Sequence, residues 1–234
     1  MPLVTKVVNE LIEDGYIREQ GQAPSTGGRR ASLFFLNPAL QRYVVSVAMD
    51  QLTARLVIYN ISNAVTLPVK TLELSIEDDP ETLDKLASFI SSNIYASGID
   101  KEKLLGVGIG IPGFLGTHLV EYLADKLDLP VFIDNDSSLI AKAELHFGAA
   151  VGKHDVMVAN IGWGTGLGMI INGQLYRGSS GYAGELSHIP LSKTGNLCSC
   201  GKRGCLQVEI SLLVMTERAK AEIEAGQATS MREL

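Results

Sequence analysis

His188 is followed, after nine residues, by Cys198-Ser199-Cys200-Gly201-Lys202-Arg203-Gly204-Cys205, and these are the only 3 cysteines in the 234-residue sequence. Three thiolates and one imidazole make a complete tetrahedral donor set for zinc, and Gly201 and Gly204 let a short loop wrap back on the ion. A disulfide with one spare thiol is the competing assignment. It leaves a cysteine odd, and Cys198 and Cys200 are too close in sequence for an unstrained bridge. Because four protein ligands leave no position for a catalytic water, the zinc expected at His188, Cys198, Cys200 and Cys205 is structural.

Two further groups of residues could do chemistry. Asn135-Asp136 lies where a strand-like run, 131–134, meets a helical pattern over 138–147. Ligands gather at the carboxyl ends of strands in open α/β sheets, and a helix N-terminus favours the negative charge of Asp136. Asn and Asp are also preferred helix caps, and spacing alone favours a cap. In Gly162-Trp163-Gly164-Thr165-Gly166-Leu167-Gly168 the alternating glycines allow backbone amides to approach an anion, with the Thr165 hydroxyl as a further donor. Gly164, Thr165 and Gly166 are therefore candidate phosphate contacts. The motif is neither GxGxxG nor a Walker A loop, so an unliganded glycine-rich hairpin remains nearly as good a reading.

The elements that must position these groups follow from periodicity. Residues 3–14 place Val4, Val7, Val8, Leu11 and Ile12 on one helical stripe, with Gly15 as a stop. Runs 16–19 and 33–36 predict a hairpin whose long tip carries Arg29 and Arg30. Runs 43–49 and 54–60 predict a second hairpin around Asp50-Gln51-Leu52-Thr53. Residues 80–97 are helical through Leu83, Leu86, Phe89, Ile90 and Ile94, and 105–111 reads as a buried strand ending at Pro112-Gly113. A helix over 119–127, the strand and helix around Asn135-Asp136, and strands over 156–161 and 169–171 complete an α/β pattern.

Composition narrows the class. Against 26 Asp+Glu stand 20 Lys+Arg, a net charge of -6, so bulk charge marks neither a nucleic-acid nor a membrane binder. No apolar run is long enough for a membrane span, and no basic stretch with an apolar core follows Met1 as in a signal peptide. The cysteines read as reduced thiolates, which predicts a cytoplasmic protein. With 46% hydrophobic residues the chain can bury two modest cores, and more than one domain is expected.

The sequence from Gly184 to His188, GELSH, with CSCGKRGC at fixed distance after it, resembles the signature of the ROK family of sugar kinases and sugar-responsive transcriptional repressors. Pro112-Gly113, Asn135-Asp136, the 162–168 glycines and GSSGYAGELSH occur in that family's order. The resemblance implies an α/β fold of the actin-like, ribonuclease-H-like two-lobed sugar-kinase type, with sugar between the lobes. It places Gly113, Asn135, Asp136, Glu185, His188 and Gln207 at the sugar, His188 also holding zinc. In the family's kinases the residue matching Asp136 takes the proton from the attacking sugar hydroxyl. Ser187 stands where the family usually has glycine and Gln207 where it usually has Glu.

Kinase and repressor are separated elsewhere in the chain. The family kinases' Asp-x-Gly-Gly-Thr phosphate loop is matched by Asp50-Gln51-Leu52-Thr53, in which side chains replace both glycines, so ATP is not the expected ligand. Residues 3–38 resemble the recognition helix and wing of the winged helix-turn-helix that precedes the sugar domain in the family's repressors. That resemblance puts Thr5, Lys6, Asn9, Arg29 and Arg30 against DNA. The expected organisation is a partial winged helix-turn-helix over 1–38, a first lobe over 39–148 and the start of a second lobe over 149–234. The chain reads as a fragment, beginning inside the DNA-binding module, with a short 114–118 loop and an incomplete second lobe. The expected function is a cytoplasmic, sugar-responsive repressor, a homodimer or homotetramer. Its partners are operator DNA and a sugar or sugar-phosphate effector. An ATP-dependent, glucokinase-like sugar kinase is the alternative, and a sugar-binding module without DNA contact is a third class.

Overall fold

The structure is a computed structural model that describes residues 2–230 apart from 25, 26, 28, 29, 38, 75–79 and 114–116. Arg29 and the middle of the expected 114–118 loop therefore lie outside the described residues. The expected N-terminal helix is α1, Pro2–Glu13, and the expected hairpin pairs β1, Ile17–Gln22, with β2, Ser32–Leu36. Their antiparallel register sets Ile17 opposite Leu36 and Glu19 opposite Phe34, with an irregularity between Glu19 and Gln22. Asn37 ties the hairpin to the end of the helix, its side-chain amide donating to the Gly15 carbonyl at 3.0 Å. Within this segment the apolar stripe stays open to solvent: Val4 is 67% and Val7 45% exposed.

A five-stranded sheet follows, built from β3 (Tyr43–Met49), β4 (Thr53–Asn60), β5 (Val65–Glu73), β6 (Leu104–Ile111) and β7 (Val131–Asn135), in the order β5-β4-β3-β6-β7. Helices α2 (Pro80–Ser97) and α3 (Thr117–Leu127) provide the connections. Strand β5 was not expected from the sequence. It lies at the sheet edge, where Pro68 removes no needed ladder donor. Strict alternation buries Val45 and Val47 of β3 and Ala54, Leu56 and Ile58 of β4, and Leu86, Ile90 and Leu123 bury the apolar stripes of α2 and α3.

The remainder comprises α4 (Asp136–Phe147), a three-stranded sheet ordered β10-β9-β8 from β8 (Val156–Ile161), β9 (Thr165–Ile171) and β10 (Gln174–Leu175), a long irregular segment, then α5 (Gln207–Ile210) and α6 (Leu212–Glu224). The chain divides into two compact units. One is Met1–Val47, Ala54–Ile109 and Thr117–Phe132, and the other Ala48–Thr53, Gly110–Gly116 and Ile133–Leu234. Half of the expected 162–168 loop is strand: Gly166 pairs with Asn160 and Gly168 with Val158. These glycines let α4 lie directly on β9. A Cβ at 168 would stand 2.3 Å from the Ala141 Cβ, and one at 166 would meet the Ser137 hydroxyl.

Candidate functional site

Every described residue expected at the sugar or the metal belongs to the second unit. Residues 184–206 carry almost no regular structure and are held by backbone bonds and two isolated bridges, Pro190 with Cys205 and Leu197 with Arg203. Leu191 and Leu206 donate to the carbonyls of Gly204 and Ile189 at 2.7 and 2.9 Å, and Gly204 to that of Asn196 at 2.8 Å. Gly204 adopts φ +65°, and a Cβ there would sit 2.1 Å from the Ser192 carbonyl oxygen. No other residue fits this crossing.

The folding of this segment brings one donor atom from each of His188, Cys198, Cys200 and Cys205 within 4.8 Å of one another. Cys200 and Cys205 sulfurs are 3.6 Å apart. That is far beyond a disulfide bond, and all three cysteines are free. It matches the edge of about 3.8 Å that a zinc tetrahedron with sulfur at 2.3 Å requires. His188 presents Nδ1, 3.5 Å from the Cys198 sulfur. Burial raises the Cys205 thiol to about 11. Burial also opposes charge on Cys198, but hydrogen bonds from the Cys200 amide and the Gln207 side chain outweigh it and bring that thiol to about 6. The donor set thus fits a zinc ion, which would hold the thiolates together and fix the loop.

Asn135 resolves its two readings jointly. Its side-chain oxygen caps α4, accepting from the Ser138 amide at 3.1 Å, while its Nδ2 donates to the Gly113 carbonyl at 3.4 Å. The next residue, Asp136, accepts from the Ser137 amide at 2.6 Å and hydroxyl at 3.1 Å, and from Asn160 Nδ2 at 3.4 Å. Burial raises its carboxyl above the usual range; the Ser137 donors oppose this and the nearby charge of Glu185 adds to it. Glu185 in turn accepts from the Ser187 hydroxyl. The Ser187 carbonyl accepts from the Gln207 amide at 3.0 Å, and Gln207 Nε2 donates to the Cys198 sulfur at 3.2 Å. Asp136, Glu185, Ser187, Gln207 and the metal ligands therefore form one continuous polar network.

Sequence reasoning missed three members. Asn160 shares its face of β8 with Val156 and Val158, and an amide among valines is the signal that marked it. Ser187 was noted only as a departure from glycine, yet it is 4% exposed and engages Glu185. Arg177 grips both oxygens of Asp134 at 3.1 and 2.6 Å, bracing the strand end beside Asn135, and its carbonyl accepts from the Ala183 amide at 3.1 Å. This pairing joins residues distant in sequence and left no local signal.

The candidate phosphate contacts form a tight turn, with Gly162 donating to the Gly164 carbonyl at 2.8 Å. The Thr165 hydroxyl is buried without a hydrogen-bond partner. Asp50 closes its own turn, accepting from the amides of Leu52 and Thr53 and from the Thr53 hydroxyl, each at 2.8 Å. Gln51 reaches over Gly164, its Nε2 4.0 Å from where a Cβ there would lie. In the first unit Thr5, Lys6, Asn9 and Arg30 are exposed, and Lys6 lies 3.7 Å from Glu10. Among the described residues no helix is long and apolar enough to cross a membrane.

Comparison with known proteins places these features in context. Residues 62–233 match the profile of the ROK family. The xylose repressor of Bacillus spizizenii is 30% identical over 224 residues, covering 89% of this chain and 58% of the repressor. The N-acetylglucosamine repressor of Escherichia coli O157:H7 is 28% identical over an alignment of 245, covering 95% of this chain and 58% of that one. The chain thus spans less than two thirds of these relatives. A solved ROK family transcriptional regulator, homologous to the E. coli MLC protein, superposes with TM-score 0.75 at 24% identity over 99% of this chain and 62% of its own. A ROK family glucokinase from Streptomyces griseus, solved with glucose and AMPPNP, gives TM-score 0.68 at 25% identity over 78% of this chain and 62% of its own. The sugar-kinase-like α/β fold expected from the sequence is shared with both.

Proposed function

Since the chain belongs to the ROK family, we propose that it forms part of a sugar-responsive transcriptional repressor, acting in the cytoplasm as a homodimer or homotetramer on operator DNA. Asn135, Asp136, Glu185 and His188 bind the hydroxyls of a sugar or sugar-phosphate effector, beside the Gly113 turn. Amides and carboxylates suit this task because each can pair with neighbouring hydroxyls. A structural zinc on His188, Cys198, Cys200 and Cys205 fixes the imidazole tautomer and so the direction of its other nitrogen. Helix α1 serves as recognition helix and the β1–β2 hairpin as wing of a winged helix-turn-helix, with Thr5, Lys6, Asn9 and Arg30 toward DNA. The effector acts by linkage: it binds one arrangement of a dimer better than another and so weakens operator binding.

One observation carries the repressor reading over a kinase. Both carboxylate oxygens of Asp50 are engaged within their own turn, and Gln51 covers the glycine hairpin, so the surface that would meet a nucleotide phosphate is filled by the chain's own groups. The relatives named as repressors support the same reading. The second reading, an ATP-dependent sugar kinase, draws on Asp136, whose burial-raised carboxyl suits a general base.

Fluorescence anisotropy on the full-length protein with DNA from its own promoter region tests the proposal. Binding at moderate salt, weakened by one sugar among pentoses, hexoses and N-acetylhexosamines, is expected. Lys6→Ala and Arg30→Ala should each reduce the salt slope by about one. Absence of DNA binding with and without sugars overturns it, and sugar-dependent ADP release establishes the kinase instead.

A further inference from the structure

Gln207 opens α5 next to the metal ligands, and both ends of the residue are fixed. Its backbone amide donates to the Ser187 carbonyl at 3.0 Å and its side-chain Nε2 to the Cys198 sulfur at 3.2 Å. We infer that Gln207 is a positioning residue of the metal centre, supplying an N–H···S hydrogen bond to the Cys198 thiolate, rather than a contact for the effector. This rests on the reading of the cluster as a metal site.

The physical case starts from burial. Cys198 is 2% exposed, so water cannot donate to its sulfur, and a thiolate there needs protein N–H groups. The Gln207 amide lies at hydrogen-bonding range for sulfur, and Asn196 holds the adjoining turn, its side chain donating to the Val208 carbonyl at 3.0 Å. Such a bond withdraws charge from the sulfur and fixes the direction of its remaining lone pairs. A carboxylate at 207 would do neither, since at neutral pH it has no proton to give and would set a second negative charge against the thiolate. The same residue links the metal to the ligand carboxylate, because Ser187, bonded to its backbone amide, donates from its hydroxyl to Glu185. Zinc and effector are coupled through this contact, and by reciprocity each tightens the other.

The test uses zinc and cobalt(II) binding to wild type, Gln207→Met and Gln207→Glu, measured by competition with a chromophoric chelator, with circular dichroism of the loaded proteins as a folding check. Gln207→Met keeps the volume and removes the donor; Gln207→Glu keeps the shape and reverses the interaction. The expected result is a 10- to 100-fold weaker metal affinity in both, as for other partners of metal ligands. The thiolate-to-cobalt charge-transfer band of Gln207→Met should move to lower energy, because an unbonded sulfur gives up charge more readily. Wild-type metal affinity and band position in both variants, with effector affinity lost, would place Gln207 on the sugar and overturn the inference. If wild type itself binds neither zinc nor cobalt, the metal reading falls and the inference with it.

Discussion

Residues 2–37 carry a 12-residue helix and a hairpin yet bury none of their described side chains, whereas residues 184–207 hold hardly any regular structure and bury Ser187, Cys198 and Cys205. In the first segment local rules suffice: an apolar stripe at helical spacing, a glycine stop at φ +75° and two paired strands. In the second, the path is set by point contacts, backbone bonds across the loop and a donor set that closes only in one arrangement. Regularity and rigidity are thus separate properties, and a site can be built where helices and strands are absent.

The sharpest way to break the comparison is to remove the metal from the holoprotein. Chelation should lower hydrogen-exchange protection over 188–206 by roughly a hundredfold or more, because binding energy at such sites is folding energy for the segment they close. Protection in α1 should not change. Cys205→Ser should reproduce the effect without chelator. Equal loss in both segments would show that the loop has no metal-dependent order of its own.

A smaller effect separates packing from exposure. Gly168→Ala places a methyl 2.3 Å from the Ala141 Cβ and 2.5 Å from the Ser137 carbonyl oxygen. Overpacking of this kind costs about 1–3 kcal/mol, read as a lower denaturant midpoint. Val4→Ala, at a side chain 67% exposed, should stay within about 0.5 kcal/mol. If Val4→Ala proves the more costly, the α1 stripe is covered in solution.

The same contrast explains what could be read from the sequence. Helices and most strands were legible, since periods of 3.6 and 2 are local. The zinc ligands were legible because thiol chemistry is rare and the spacing short. Strand β5 was hidden by Pro68, which argues against a central strand but not an edge one. The glycines at 166 and 168 suggested an anion loop because nothing local reveals that a helix will lie upon them. Arg177 and Asp134, 43 positions apart, and Gln207 with Cys198, could be paired only by the fold.

The mildest perturbation of stability falls on Asp136, and its sign separates a ligand group from a structural one. Burial raises its carboxyl in the folded state, so between the unfolded and folded values the native protein holds the extra proton. Stability therefore declines as pH rises through that window and is level above it. Asp136→Asn keeps the acceptor for the Ser137 amide, which bonds Oδ1, and removes the buried charge beside Glu185. The variant should be at least as stable as wild type at pH 7, with the difference vanishing below the ordinary carboxylate range, as followed by thermal melts across pH. Effector affinity should nevertheless fall roughly ten- to hundredfold, the worth of a hydrogen bond to a charged group. A variant that is less stable at pH 7 with effector affinity intact would make Asp136 part of the α4 cap instead. The polar network would then begin at Glu185, on the loop, where order depends on the metal.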